Sequence, residues 1–175
     1  MARDLLTLSR QSHDHRNAVV RAAVALLTVS DSRSKATDET GRSARGLLEA
    51  AGHGVAGYEI LPDEPDRIKE QLRLWLERGD CDCIIVMGGT GISPRDRTYE
   101  ALAGMFDMRL DGFGELFRAL SYEQVGSAAM LSRAVGGVVA GRLLFSLPGA
   151  RAAVELALEK LILPELGHLL SELRR

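Results

Sequence analysis

The chain has 175 residues, 46% hydrophobic and 26% charged, and its formal net charge is −2. That composition suits one well-buried globular domain and excludes a disordered chain. So small a charge supplies no field to gather nucleic acid or an anionic membrane surface, and no stretch reaches the ~18 uninterrupted apolar residues of a span.

Residues 1–20 carry charge throughout and lack the apolar core of a signal peptide. They are expected to form a polar arm that lies on a neighbour through Leu5, Leu6 and Leu8, ahead of a single domain over 21–175. Among 22 basic residues only Lys35, Lys69 and Lys160 are lysine. Codon bias accounts for that, and so does anion recognition by forked guanidinium donors once a site is in view. Ala22 to Val29 is a continuous apolar run that stops at Ser30-Asp31-Ser32. A polar loop follows, and Thr37 or Asp38 caps a helix carrying Ala44, Leu47, Leu48 and Ala51 on one face.

A second strand, Val55 to Leu61, ends at Pro62-Asp63-Glu64. The next helix, about 65–78, buries Ile68, Leu72, Trp75 and Leu76 and stops at Gly79. Cys81 and Cys83 lie two apart at the start of a third strand, Cys83 to Met87, so they are expected on the same side. Two cysteines make no disulfide framework and fit a reducing cytoplasm. A helix at about 98–106 follows. VGGVVAGRLLFSL then reads as two strands around Gly141-Arg142, an antiparallel hairpin on the sheet edge. A long helix from about Ala150 to Pro164 turns Val154, Ala157, Leu158 and Leu161 inward. Strand and helix alternate, and the strands are too apolar to have a wet face. The fold class is therefore α/β, a three-layer sandwich with a mostly parallel central sheet, helices on both faces and an antiparallel edge hairpin.

In open parallel sheets ligands bind beyond the carboxyl ends of the strands. Those ends carry Ser30-Asp31, Pro62-Asp63, and Gly88-Gly89-Thr90-Gly91 followed by Asp96, so the three acids can converge along one edge. The glycine turn lets backbone N–H groups point into one concavity, which suits phosphate. It matches neither the P-loop nor the dinucleotide fingerprint. Local alternatives stay open: Asp63 as an N-cap, Asp96 as a cap or a partner of Arg95 or Arg97, and Asp31 in an Asx turn. His13, His15, His53 and His168 follow no strand end, so a histidine-activated nucleophile is poorly supported.

At these residues the sequence resembles the MoaB/MogA family of molybdenum cofactor biosynthesis proteins. The matching stretches are TVSDSRS at 28–34, PDE at 62–64, GGTGISPRDRTYEA at 88–101, GFGELFR at 112–118, SRAVGG at 132–137 and SLPGA at 146–150. The resemblance implies a molybdopterin-binding α/β fold, assembled as a trimer or hexamer. It also implies adenylylation of molybdopterin with MgATP: AMP passes to the pterin's terminal phosphate and pyrophosphate is released. Carried onto this chain, the key acids are Asp31, Asp63 and Asp96. Ser30, Gly88 to Gly91, Ser93, Ser132 and the Pro148-Gly149 turn would hold the pterin and its phosphate. Other proteins of the same pathway are possible partners.

A phosphomonoester has its second pKa near 6, so the attacking phosphate is already mostly ionised and needs no general base. Repulsion between two polyanions is the obstacle. Mg2+ held by Asp63 and Asp96 would relieve it, with Asp31 on the pterin or nucleotide and Arg95, Arg97 and Arg133 balancing charge. Two classes stay open, an adenylyltransferase and a molybdopterin-binding or carrier protein without turnover. Phe113, Leu116, Phe117 and Leu120 form a further apolar stripe, which serves either self-association or the core.

Overall fold

A computed structural model describes residues 20–94 and 96–175. The arm expected over 1–20, Val20 apart, and Arg95 lie outside the described residues. Three apolar runs form parallel neighbours: β1 (Ala23–Val29), β2 (Gly54–Leu61) and β3 (Cys83–Met87). The sheet has six strands in the order β2-β1-β3-β6-β5-β4. β6 (Arg142–Leu147) continues the parallel set beside β3; β5 (Val135–Val139) pairs antiparallel with β6, and the two-residue β4 (Met108–Arg109) pairs antiparallel with β5 at the outer edge.

Both faces are covered, which is why β1 shows no polar alternation. Val24 and Leu26 pack with Ala44 and Leu48 of α1 (Glu39–Ala50) in one cluster, and Ala25, Leu27 and Val29 pack in another with Ile68, Leu72 and Trp75 of α2 (Pro65–Arg78). α3 (Thr98–Ala103) joins the α2 side through Leu102. α4 (Asp111–Val125), α5 (Arg151–Ala157) and α6 (Leu163–Leu173) join α1 on the opposite face. No helix among the described residues is long and apolar enough to cross a membrane.

Capping follows the sequence signals. Asp38 is the N-cap of α1 and accepts from the Gly41 N–H at 3.0 Å. Pro65 opens α2, and Gly79 closes it at φ 67.

Several elements differ from the sequence expectation. α3 ends at Ala103, before Gly104, rather than near 106. The hairpin turns at Ala140-Gly141, one residue earlier than expected, with φ 48 and φ 70. Such paired positive φ values match the strand twist in a two-residue turn. The antiparallel hairpin lies toward the sheet edge as expected, with the short β4 added outside β5. The last helix does not stop at Pro164. A π-helical turn over Leu158–Ile162, in which the Leu163 N–H bonds the Leu158 carbonyl, resets the ladder before the proline, and α6 continues through it. Proline lacks an N–H and its ring crowds the carbonyl four residues back, so a wider turn just ahead accommodates it.

Cys81 and Cys83 are both buried but pack in opposite clusters. Cys81 precedes the strand, in the loop after α2, so the two-residue alternation of a strand does not reach it. Burial pushes both thiols up. Phe113 and Phe117 enter the core, while Leu116 stays exposed and Leu120 is half-buried.

Candidate functional site

The loops beyond β1, β3 and β6 meet at one edge of the sheet and enclose a cavity of ≈ 580 Å³. Ser30 enters from β1, Gly88 to Gly91 and Asp96 from β3, Ser132 from the segment before β5, and Pro148-Gly149 from β6. Apolar residues of α4 and the 3-10 turn Gly126–Leu131 close the other side, among them Phe117, Val125 and Leu131.

The glycines are required by the backbone and by space. Gly88 and Gly89 hold φ 116 and φ 64. A side chain on Gly88 would collide with the Val29 carbonyl, and one on Gly89 with the Thr98 hydroxyl. Gly149 lies against Gly88, so closely that a Cβ on Gly149 would stand 3.2 Å from the Gly88 Cα. Gly91 has no positive φ; a Cβ there would come within 2.7 Å of Asp96 Oδ2.

Asp31, Asp63 and Asp96 come together, but in unequal roles. Asp96 lines the cavity, Asp31 lines an adjoining one of ≈ 460 Å³, and Asp63 connects the loops behind them. The Asp63 N–H donates to Asp31 Oδ1 at 3.3 Å. Its carboxylate accepts from the Arg97 N–H at 3.2 Å and the Thr98 hydroxyl at 3.1 Å, so it braces the start of α3 rather than capping α2. Burial pushes the Asp63 carboxyl up; the bonds from Thr98 and Arg97 oppose this, and the Asp96 and Asp31 charges raise it further. Asp96 Oδ2 accepts from the Ser93 N–H at 3.1 Å. The turn after β1 is closed by Ser30, whose hydroxyl oxygen accepts from the Ser32 and Arg33 N–H groups.

Arg133 stands behind the glycine loop, outside the main cavity. It donates to the carbonyls of Thr90 at 2.9 Å and Asp96 at 3.1 Å, also bonds the Gly91 carbonyl and Glu100, and stacks over the Tyr99 ring at 5.0 Å. Its donors fix the loop's shape. Ser93 and Arg97 lie with it around a smaller outer cavity. Ser121 and Arg33 are among the cavity residues that sequence reasoning missed. Ser121 sits one turn beyond Phe117 on the same buried stripe, a spacing that marks it. Arg33 lies within the TVSDSRS stretch without a local pattern to single it out.

Among the described residues no three His, Cys, Asp or Glu side chains gather into a metal-binding group. Two hard carboxylates whose neighbours' charges raise one of them do fit a hydrated Mg2+ completed by ligand phosphates.

An α/β sheet with a glycine concavity and acids beyond its strand ends has its candidate ligand site at the carboxyl edge of the strands. Residues 25–168 match the family described as "Probable molybdopterin binding domain". The chain is 52% identical over 162 residues to molybdenum cofactor biosynthesis protein B of Staphylococcus aureus, covering 91% of this chain and 95% of that one. It superposes on a crystal structure of molybdenum cofactor biosynthesis protein B with a TM-score of 0.88 at 45% identity, covering 91% and 99%. The tungsten cofactor synthesizing protein MoaB from Pyrococcus furiosus superposes with a TM-score of 0.81 at 36% identity, covering 89% and 98%. The chain belongs to the MoaB/MogA family of molybdenum cofactor biosynthesis proteins.

Proposed function

We propose that the protein binds molybdopterin in the main cavity and adenylylates it with MgATP. The observation that carries this reading is the meeting of Asp31, Asp63 and Asp96 beside the Gly88–Gly91 concavity, with the Asp63 carboxyl raised partly by the charges of the other two. Such mutual repulsion favours a divalent cation. Asp63 and Asp96 would hold Mg2+, which supplies charge neutralisation at the reacting phosphates. The backbone N–H groups of the glycine turn would receive the pterin phosphate. Val125, Leu131 and Phe117 would exclude water from the opposite side and strengthen these contacts. No side chain has to remove a proton, because the attacking phosphate is mostly ionised at neutral pH.

The test is AMP incorporation into molybdopterin by the purified protein with MgATP. Appearance of adenylylated molybdopterin with release of pyrophosphate is the expected result. A second reading, a molybdopterin-binding or carrier protein without turnover, draws on a different observation: Asp31 and Asp63 are joined to each other and to α3 by hydrogen bonds that also brace the loops. Tight molybdopterin binding without AMP transfer would select it.

A further inference from the structure

Arg33 stands in the wall between the 580 Å³ and 460 Å³ cavities and lines both. Its guanidinium donates to the Gly149 carbonyl at 3.2 Å and faces Asp38 Oδ1 at 3.6 Å. The Thr40 hydroxyl donates to the same Gly149 carbonyl at 3.2 Å. Asp38 is completely buried. It accepts from the Thr28 hydroxyl at 2.5 Å, the Tyr58 hydroxyl at 2.6 Å and the Gly41 N–H at 3.0 Å. One carboxylate thus ties β1, β2 and α1 to the guanidinium, and the guanidinium ties them to the turn after β6.

A surface arginine needs no such anchorage, and an exposed ion pair contributes little stability. Here a buried network fixes the direction of a cation that is itself 32% exposed. Arginine has five N–H donors in a planar fork. Among the described residues its side chain makes no other hydrogen bond than the one to Gly149, so donors remain for a ligand. Lysine, a single ammonium on a flexible stem, cannot meet Gly149 and Asp38 and still present a second donor edge.

We propose that Arg33 is a phosphate-binding residue at the junction of the two cavities, held in place by Asp38 as a positioning residue. The inference rests on the reading of the main cavity as a molybdopterin site and names the side chain that receives its phosphate. In the proposed transfer a pterin phosphate oxygen bonds to the α-phosphorus of ATP. The bond from that phosphorus to the α–β bridging oxygen breaks, and pyrophosphate leaves with the electron pair. Arg33 neither gives nor takes a proton; it draws the phosphate groups to one edge.

The experiment compares molybdopterin with its dephosphorylated form by titration against wild type, Arg33→Ala, Arg33→Gln and Tyr58→Phe. Loss of one charge-assisted contact predicts roughly tenfold to hundredfold weaker molybdopterin binding in Arg33→Ala. The dephosphorylated form should bind the variant and the wild type alike. Arg33→Gln keeps a donor for Gly149 without the charge, so it carries the comparison if the alanine variant does not fold. Tyr58→Phe loosens Asp38 and should weaken only the phosphorylated ligand, by less. Equal affinity of wild type and Arg33→Gln for molybdopterin, or equal losses for both ligand forms, would overturn the proposal. Wild type that binds the phosphorylated form selectively but transfers no AMP removes the adenylylation reading and leaves this one standing. Wild type indifferent to the phosphate removes this one together with phosphate capture by the glycine turn, while AMP transfer still tests the adenylylation reading separately.

Discussion

Asp38 and Asp63 show how one residue type acquires opposite pH behaviour from its surroundings. Burial alone would push the Asp38 carboxyl up, but the hydrogen bonds from Thr28, Tyr58 and Gly41 and the Arg33 charge hold it below its ordinary value. A depressed carboxylate adds stability that is complete above about pH 4 and is lost as pH falls through its folded value. Asp63 is raised, so the native state favours its protonated form, and that contribution is lost as pH rises through the raised value. Asp38→Asn should therefore be less stable by roughly 2–3 kcal/mol at pH 7, with the deficit shrinking toward pH 3. Chemical denaturation across that range checks it, and a deficit independent of pH would contradict the assignment.

At the acids of the site, Asp63→Asn and Asp96→Asn should lower AMP transfer by orders of magnitude and change molybdopterin affinity far less. Equal losses in both quantities would defeat the metal-holding role. Gly91 is a different kind of probe from its neighbours in the glycine turn. The positive φ values lie at Gly88 and Gly89, so a side chain at Gly91 leaves the backbone unstrained and disturbs the Asp96 carboxylate next to it. The expected outcome for Gly91→Ala is lost turnover with a modest fall in melting temperature, measured side by side.

Elements were legible where local signals and tertiary packing agree. β1 and β3 read directly as buried strands, and α2 combines a one-sided apolar stripe with proline at its start and glycine at its end. β4 carried no signal, because Met108 and Arg109 pair with Val138 and Gly137 only once the chain has folded back. The strand-end rule located the Gly88–Gly91 turn from sequence, and the Pro148-Gly149 turn came from the family resemblance. That rule could not assign Arg33, whose meaning comes from a carbonyl 116 residues away. The hairpin turn offers a test at this scale. Ala140 occupies a left-handed position at φ 48 that costs an L-residue about 1–2 kcal/mol. Asparagine tolerates it better, and the backbone N–H bond from residue 140 to Asp107 would be retained. Ala140→Asn should raise the melting temperature by about 2–4 °C, and no rise would mean that the turn is not strained as its dihedrals imply.

For the whole molecule, the stripe on α4 divides between two purposes. Phe113 and Phe117 belong to the core, while Leu116, Tyr122 and Val125 remain exposed on the same helix. Met130, 78% exposed, and Leu131 extend that surface into the 3-10 turn, beside the mouth of the main cavity. Scattered apolar side chains need no explanation, but several on one helix and its following turn mark an interaction surface. We propose that copies of this chain associate through it, as a hexamer with a trimer as the alternative. Light scattering on a sizing column should report the hexamer mass, and Leu116→Glu or Met130→Glu should lower it without changing the far-ultraviolet circular dichroism. Phe117→Glu is not an equivalent probe. It buries a charge at a position 1% exposed and should unfold the protein rather than dissociate it. A wild-type monomer at micromolar concentration would rule out self-association, and an unchanged mass in both exposed-site variants would move the interface elsewhere on the surface.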